Sequence, residues 1–225
     1  TPMAPGSFRS SVENFAAAAL IPHIVARPPD VIGHVDAVFI ATDDGFDHVR
    51  RARPFIEAGL PVFVDKPLAL TVEDLRTFSA WEKGGARVLS SSGLRYAPEL
   101  NPYLAGTTNP TLGELRWLSG VSCKTWERYG IHLLEPIARV LGPGFLSVRL
   151  ESSTRDGSGG GRPSPDVVAH LTHRSGVQVS LPVIADGGAT FGTLHLCGVA
   201  GQTTIRFADT YSSFRGQLVS FIETV

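Results

Sequence analysis

Two stretches of the 225-residue sequence hold side chains whose types and spacing support chemistry. The first is Asp65-Lys66-Pro67, directly after the apolar run PVFV at 61–64. A lysine there stands at the carboxyl end of a strand, the edge at which open α/β sheets bind their ligands. Its ammonium could polarise a hydroxyl or carbonyl oxygen, although an ordinary exposed lysine in a βα loop would hold the same position. The proline after it stiffens the backbone and is open to a cis bond. The second is WERYGIHLLE at 126–135. Arg128, His132 and Glu135 are spaced i, i+4, i+7 and share one face of the helix predicted there. A histidine near a carboxylate is a general acid/base candidate. A helical histidine satisfied by a structural hydrogen bond would look the same. His48 lies just inside another predicted helix, where it could approach a cofactor at the strand end or merely decorate the helix. Arg95 and Tyr96 follow a strand and could touch a polyhydroxyl substrate or serve packing between domains.

The elements that must position these residues alternate in the first half. Residues 36–42, DAVFIAT, form a near-continuous apolar run, which marks a strand buried on both faces. Asp43-Asp44-Gly45 breaks it, and either aspartate can cap the helix read over 46–58, which Gly59 closes and Pro54 interrupts. The strand at 61–64 follows. Thr71 to Asp74 has the spacing of a capping box, opening a helix that runs to about Lys83. Residues 86–91 are a further strand. Upstream, 11–20 read as an Ala-rich helix and 22–26, PHIVA, as another strand. This β-α-β-α-β order implies a parallel sheet with right-handed crossovers.

From Leu112 the pattern changes. Residues 114–123, 145–153, 166–173, 177–184, 194–199 and 203–207 read as strands that alternate apolar and polar side chains. Arg174-Ser175-Gly176 and Ala200-Gly201-Gln202 are hairpin signals. An antiparallel sheet with one covered face is expected. One helix, 130–141, interrupts it, and 214–225 form a final helix. The fold class is therefore α/β: a partial Rossmann-like, doubly wound parallel sheet over 1–94, then an α+β domain with a mainly antiparallel open sheet over 95–225.

Composition narrows the function classes. Lys plus Arg is 20 and Asp plus Glu is 21, a net charge of −1, which leaves no electrostatic footprint for nucleic acid or anionic lipid. No apolar run approaches the roughly 18 residues of a membrane span, and no signal peptide is evident, so a cytoplasmic protein is expected. Cys123 and Cys197 lack metal-site spacing and read as two reduced thiols. No metal site is expected, because His170 and His173 are three apart on one strand and face opposite sides. The dinucleotide fingerprint GxGxxG is absent. Gly157, Gly159, Gly160 and Gly161 lie in 155–165, RDGSGGGRPSP, which reads as a surface loop because Pro163 and Pro165 cannot open a helix there.

Taken together, VDAVFIATDDGFDHV, AGLPVFVDKPLAL and YGIHLLEPI resemble the Gfo/Idh/MocA family of NAD(P)-dependent oxidoreductases. The later LHLCGVAGQTTIRF and FRGQLVSFIETV are similar to that family's sheet hairpin and C-terminal helix. The resemblance implies a hydride transfer between NAD or NADP and a hydroxyl or carbonyl carbon of a sugar, cyclitol or related small polyol. It implies that Lys66 contacts the nicotinamide ribose and the substrate hydroxyl, with Asp65 in place of the family's glutamate, and that His132 is the acid/base. Thr42, Asp43, Asp44, His48, Asp65, Lys66 and Pro67 are then the cofactor-binding candidates. Arg95, Tyr96, Arg128 and Glu135 are the substrate candidates. Arg128 stands where the family has an aspartate, and Glu127 beside it points about 100° away on a helix. A homo-oligomer built through the open sheet is implied by analogy. Without a first βαβ unit, the chain is expected to be a partial form of a longer protein. The rival expectation is a non-catalytic member used for sugar sensing or as an assembly subunit. A dimerisation module built on the open sheet ranks behind both.

Overall fold

The computed structural model describes residues 5–107, 109–153, 165–185 and 192–225. They fall into two compact units, Thr1–Asp36 and Ala37–Val225. The loop expected at 155–165, with its glycine cluster, lies outside the described residues except for Pro165.

In the first unit, helix α1 (Pro5–Ala18) contains the strongly helix-favouring alanines 16–18. It ends where Leu20 takes a φ of 56° and the Ile21 amide bonds the Ala16 carbonyl at 2.8 Å. A 3-10 turn, Pro28–Val31, is pinned by Arg27 to Asp30 at 2.7 Å. The strand expected at 22–26 is not formed. Pro22 has no amide hydrogen, and Ile24 and Val25 are exposed. An apolar run becomes a strand only where a neighbour takes its backbone hydrogen bonds.

The second unit opens with the parallel sheet. Strands β1 (Val38–Ile40), β2 (Val62–Val64) and β3 (Val88–Leu89) pair in that order, with Val38, Val62 and Val88 in register. β2 is central and buried along its whole length, which explains its unbroken Val-Phe-Val. Helices α2 (His48–Glu57) and α3 (Val72–Lys83) are the crossovers. α3 starts where the sequence indicates: the Thr71 hydroxyl oxygen accepts from the Asp74 amide at 3.0 Å and the hydroxyl donates to the Asp74 carboxylate at 2.8 Å. The start of α2 differs from expectation. Its N-cap is Asp47 rather than Asp43 or Asp44, and the Asp47 carboxylate is taken by Arg50 at 2.6 Å and Arg51 at 2.5 Å. Ion pairing within the first turn has displaced side-chain capping.

After two 3-10 turns, Gly93–Tyr96 and Pro98–Tyr103, comes the larger sheet. Its strands are β4 (Leu115–Gly120), β5 (Ser122–Cys123), β6 (Phe145–Ser153), β7 (Asp166–His173), β8 (Gln178–Ile184), β9 (Thr193–Gly198) and β10 (Gln202–Arg206). The order is β10-β9-β4-β8-β7-β6, with β5 also beside β8. Both hairpins form as read. The sheet is mainly antiparallel, but β4 and β5 each run parallel to β8. Between β5 and β6 lie a short helix, α4 (Trp126–Tyr129), and α5 (Ile131–Leu141). Gly130 joins them in helical conformation (φ −57°, ψ −30°), and Gly142 ends α5 at a φ of 75°, where a side chain would be strained. The core is packed from Leu133, Ile137 and Val140 of α5 and Leu118, Leu181 and Leu196 of the sheet.

Helix α6 (Thr210–Ile222) begins on Asp209, whose carboxylate accepts from the Ser212 amide at 2.9 Å. It runs back to the parallel sheet, where the Phe221 ring meets Phe39 and Phe63 at 4.8 and 5.8 Å. Cys123 and Cys197 are free thiols.

Candidate active site

Lys66 leaves the end of β2, and the Lys66–Pro67 bond is cis. The loop it begins is held against the loop that follows β1. The Asp65 amide donates to the Ile40 carbonyl at 2.9 Å. Below this contact lies His48, 0% exposed. Its Nε2 is 2.7 Å from the Thr42 carbonyl oxygen, and its Nδ1 is 3.0 and 3.2 Å from those of Pro67 and Leu68. A ring nitrogen bonds a carbonyl only by donating, and which nitrogen carries the hydrogen sets whether the imidazole bonds the Thr42 side or the Pro67 side, while its ring packs between the two strand-end loops. Gly45 lets them approach: a Cβ there would come within 2.9 Å of Leu70 Cγ and 3.2 Å of the Pro67 oxygen. Burial pushes the Asp65 carboxyl above its ordinary range, against the opposing pull of Lys66.

The second wall comes from β5, α4 and α5. His132 is 7% exposed. Its Nδ1 lies 2.7 Å from the Ser92 hydroxyl, which also accepts from the Leu94 amide at 3.2 Å. Burial first, then the charges of Lys66 and Lys124, lower its pKa to about 4, so the imidazole is neutral near pH 7. Tyr129 joins the two walls. Its ring centroid is 4.9 Å from Lys66 Nζ, 4.3 Å from Lys124 Nζ and 5.5 Å from the His132 ring. Lys124 Nζ donates to the Tyr129 phenol oxygen at 2.6 Å. Behind His132, Arg95 bonds Glu135 at 2.9 Å. Burial pushes the Glu135 carboxyl up, and Arg95 offsets part of that.

The structure thus brings Lys66 and His132 together across Tyr129, with Asp65 and Pro67 beside them. Thr42 is adjacent through His48, and Asp43 and Asp44 lie exposed in its loop, Asp44 accepting from the Phe46 amide at 3.2 Å. Two expected contacts are corrected. His48 offers neither nitrogen outward, because both face backbone carbonyls, so it supports the two strand-end loops from beneath instead of reaching outward as a ligand contact. Tyr96 faces α6: its hydroxyl donates to Ser220 at 3.1 Å and its Cβ sits where a Gly216 side chain would stand. It serves packing, not substrate contact. Arg95 and Glu135 are spent largely on each other. Arg128, half-buried on α4, has no hydrogen-bond or ion-pair partner among the described residues.

Sequence reasoning missed Ser92, Lys124 and Tyr129. Ser92 and His132 are forty residues apart, and nothing local links them. Lys124 and Tyr129 are close in sequence, but their meeting depends on the left-handed backbone of Lys124 (φ 71°), which a lysine does not announce. One observation bears on a cofactor. The Thr42 hydroxyl oxygen, at the end of β1, is buried with no hydrogen-bond partner among the described residues. Buried polar atoms are normally paired, so an orphan beside the strand ends fits a ligand that carries hydroxyl or amide groups. Thr42, Asp43, Asp44 and the 65–67 segment line the carboxyl edge of the parallel sheet, where a bound nucleotide would sit. Among the described residues, no group of three or more His, Cys, Asp or Glu is placed to hold a metal.

Residues 8–91 match GFO_IDH_MocA, the oxidoreductase family with an NAD-binding Rossmann fold. No curated protein matches the chain by sequence. Several solved structures share its fold. Apo scyllo-inositol dehydrogenase from Lactobacillus casei is 15% identical with a TM-score of 0.70, covering 99% of this chain and 78% of its own. Myo-inositol 2-dehydrogenase from Lactobacillus plantarum is 16% identical with a TM-score of 0.68, covering 89% and 74%. GenD2 from gentamicin A biosynthesis, solved with NAD, is 19% identical with a TM-score of 0.65, covering 85% and 60%.

Proposed function

We propose that this chain, whose residues 8–91 belong to the Gfo/Idh/MocA oxidoreductases with their NAD-binding Rossmann fold, transfers a hydride between a nicotinamide cofactor and a hydroxyl or carbonyl carbon of a sugar, cyclitol or related small polyol. The observation that carries this reading is the convergence of Lys66, at the carboxyl end of the parallel sheet, with neutral His132 across Tyr129. The orphaned Thr42 hydroxyl supports it from the cofactor side. Bound there, the nicotinamide ring supplies or accepts the hydride. Lys66 polarises the reacting oxygen with its ammonium, which stabilises the negative charge that develops on it. His132, oriented by Ser92, is the acid/base that shares the proton of that oxygen. Arg128, free of protein partners among the described residues, faces substrate hydroxyls, while the Arg95–Glu135 pair braces the helix of His132. In this division of labour, 1–94 holds NAD or NADP and 95–225 holds the substrate. The protein works in the cytoplasm, and the face of the larger sheet that carries exposed Trp117 is its homo-oligomer surface.

The test is titration of the full chain with NADH and NADPH by calorimetry, followed by a panel of inositols and sugars read as nicotinamide absorbance. Lys66→Ala should lower kcat by about 100-fold or more while leaving the circular dichroism spectrum unchanged. Equal turnover in that variant would refute the assignment. A second reading, ligand sensing or assembly without turnover, is favoured by one feature: Arg128 stands four residues before His132 where the resembled motif has a carboxylate. Polyol binding with no nicotinamide oxidation or reduction on any substrate would select it.

A further inference from the structure

Resting on the oxidoreductase reading above, we infer that Tyr129 is a further catalytic residue of this site, exchanging a proton with the substrate oxygen while Lys124 replenishes it from solvent. The geometry begins with Lys124. Its backbone amide bonds the Ile184 carbonyl at the end of β8, at 3.1 Å, and its φ of 71° turns the chain so that the side chain returns over Tyr129. A strained backbone at a non-glycine residue persists only where the surroundings hold it, and such residues gather at functional sites. The ammonium then donates to the phenol oxygen at 2.6 Å. An ammonium has donors only, so the phenol oxygen must accept. The Tyr129 hydroxyl hydrogen is therefore directed away from Lys124, and no other hydrogen-bond partner for it exists among the described residues. The Tyr129 ring itself belongs to the cluster of the proposed catalytic pair, with Lys66 Nζ 4.9 Å and the His132 ring 5.5 Å from its centroid, and the unbonded phenol hydrogen is assigned to the substrate oxygen between them.

The chemistry needs such a group. An imidazole neutral down to about pH 4 is a poor proton store at neutral pH, and at 7% exposure it exchanges slowly with water. Lys124 is exposed. In the reducing direction the carbonyl carbon takes the hydride given up by the reduced nicotinamide, and its oxygen must gain one proton. In this refinement of the reading above the proton comes from Tyr129 rather than from His132: the Tyr129 O–H bond breaks as the new substrate O–H bond forms, and the neutral imidazole only orients the reacting oxygen. A Lys124 N–H bond breaks as the phenol O–H is restored, and the neutral amine regains its proton from water. Oxidation runs the same line backwards. No free phenolate is required, because the line from ammonium to phenol is already hydrogen-bonded. Lys66 takes no part in this proton line: its ammonium lies against the Tyr129 ring and polarises the same oxygen. Asp43 is the carboxylate that acts on Lys124 from the β1 loop, and it favours the charged amine between turnovers.

The experiment uses the full chain as wild type, Tyr129→Phe, Lys124→Met and Lys124→Arg. Two readouts are needed. In the protein without cofactor, NMR titration of lysine labelled at Cε follows the Lys124 amine. Its pKa is raised by the bond to Tyr129. In Tyr129→Phe it should fall back toward the ordinary lysine value, and an unchanged titration would show that the pair does not exist. With reduced nicotinamide and a ketone cyclitol, Tyr129→Phe should lower kcat by about 100-fold or more with cofactor affinity unchanged. Lys124→Met should lower kcat by about ten-fold and flatten its pH profile, and Lys124→Arg should restore most of the loss by keeping charge and donors. Tyr129→Phe turning over at the wild-type rate overturns this inference alone. A wild-type chain that oxidises no reduced nicotinamide with any substrate overturns the oxidoreductase reading, and the inference falls with it.

Discussion

Replacing His132 by glutamine should flatten the acid sensitivity of the fold. The His132 pKa is held at about 4, against an unfolded value near 6.5. Between those values the unfolded chain carries a proton that the folded chain refuses. The stability this residue contributes is therefore full above about pH 6.5 and is lost as the pH falls toward 4. Going from about pH 7 to about pH 5, linkage gives a loss of about 2 kcal/mol, levelling at about 3 kcal/mol below pH 4. Asp65 and Glu135, whose carboxyls are pushed up, work in the opposite sense and favour the fold on acidification. Total stability thus mixes opposing contributions, and the difference between wild type and His132→Gln isolates one of them. The assay is urea unfolding at a series of pH values, read by tryptophan fluorescence. The variant should lose about 2 kcal/mol less than wild type between the two pH values, over a constant offset for the altered bond to Ser92. Parallel stability curves for the two proteins would refute the argument that burial holds this imidazole neutral.

Two other substitutions address the loops at the end of the parallel sheet. His48→Leu removes the one imidazole N–H that faces the Thr42 or Pro67 carbonyl and should destabilise the protein by about 1–3 kcal/mol for the group left unsatisfied. Amide exchange should quicken at 42–48 and 65–70 before it quickens in the larger sheet; uniform exchange would show that His48 does not tie these loops. Thr42→Val removes a buried hydroxyl that has no partner, so stability should hold steady or rise by about 1 kcal/mol while nicotinamide affinity drops. Unchanged affinity would detach that hydroxyl from the cofactor.

What the sequence made legible was mostly local. The Thr71 cap, the two hairpins, the uninterrupted Val62–Val64 strand and the helix ended by Gly142 each depend on residues within a few positions of one another. The strand expected at 22–26 failed because apolar character alone provides no hydrogen-bonding neighbour. The roles of Tyr96 and His48 were hidden for a related reason. Tyr96 is fixed by Ser220, 124 positions away, and His48 by carbonyls 19 and 20 positions away. Asp47 is the local exception: its choice between capping α2 and pairing with two arginines is a near balance that sequence pattern does not decide. At the site itself, Lys66 and His132 were visible as types in context, whereas Ser92, Lys124 and Tyr129 gained meaning only once the chain had brought them together.

The larger sheet also has a kinetic character. β9 with β10 is one hairpin, and β8, β7 and β6 are connected antiparallel neighbours. Each group can zip locally. β4 alone stands between them, antiparallel to β9 and parallel to β8. Pairing Trp117 with Gln178 closes a loop of about sixty residues, which costs about 2 kcal/mol more in chain entropy than a short hairpin. The two groups should therefore form early, with β4 entering last. Since β4 leads through β5 directly to Lys124, Tyr129 and His132, its insertion is the step that makes the sheet one cooperative body and brings that wall to Lys66, so that a chain caught before it would hold most of its strands and only the Lys66 half of the site.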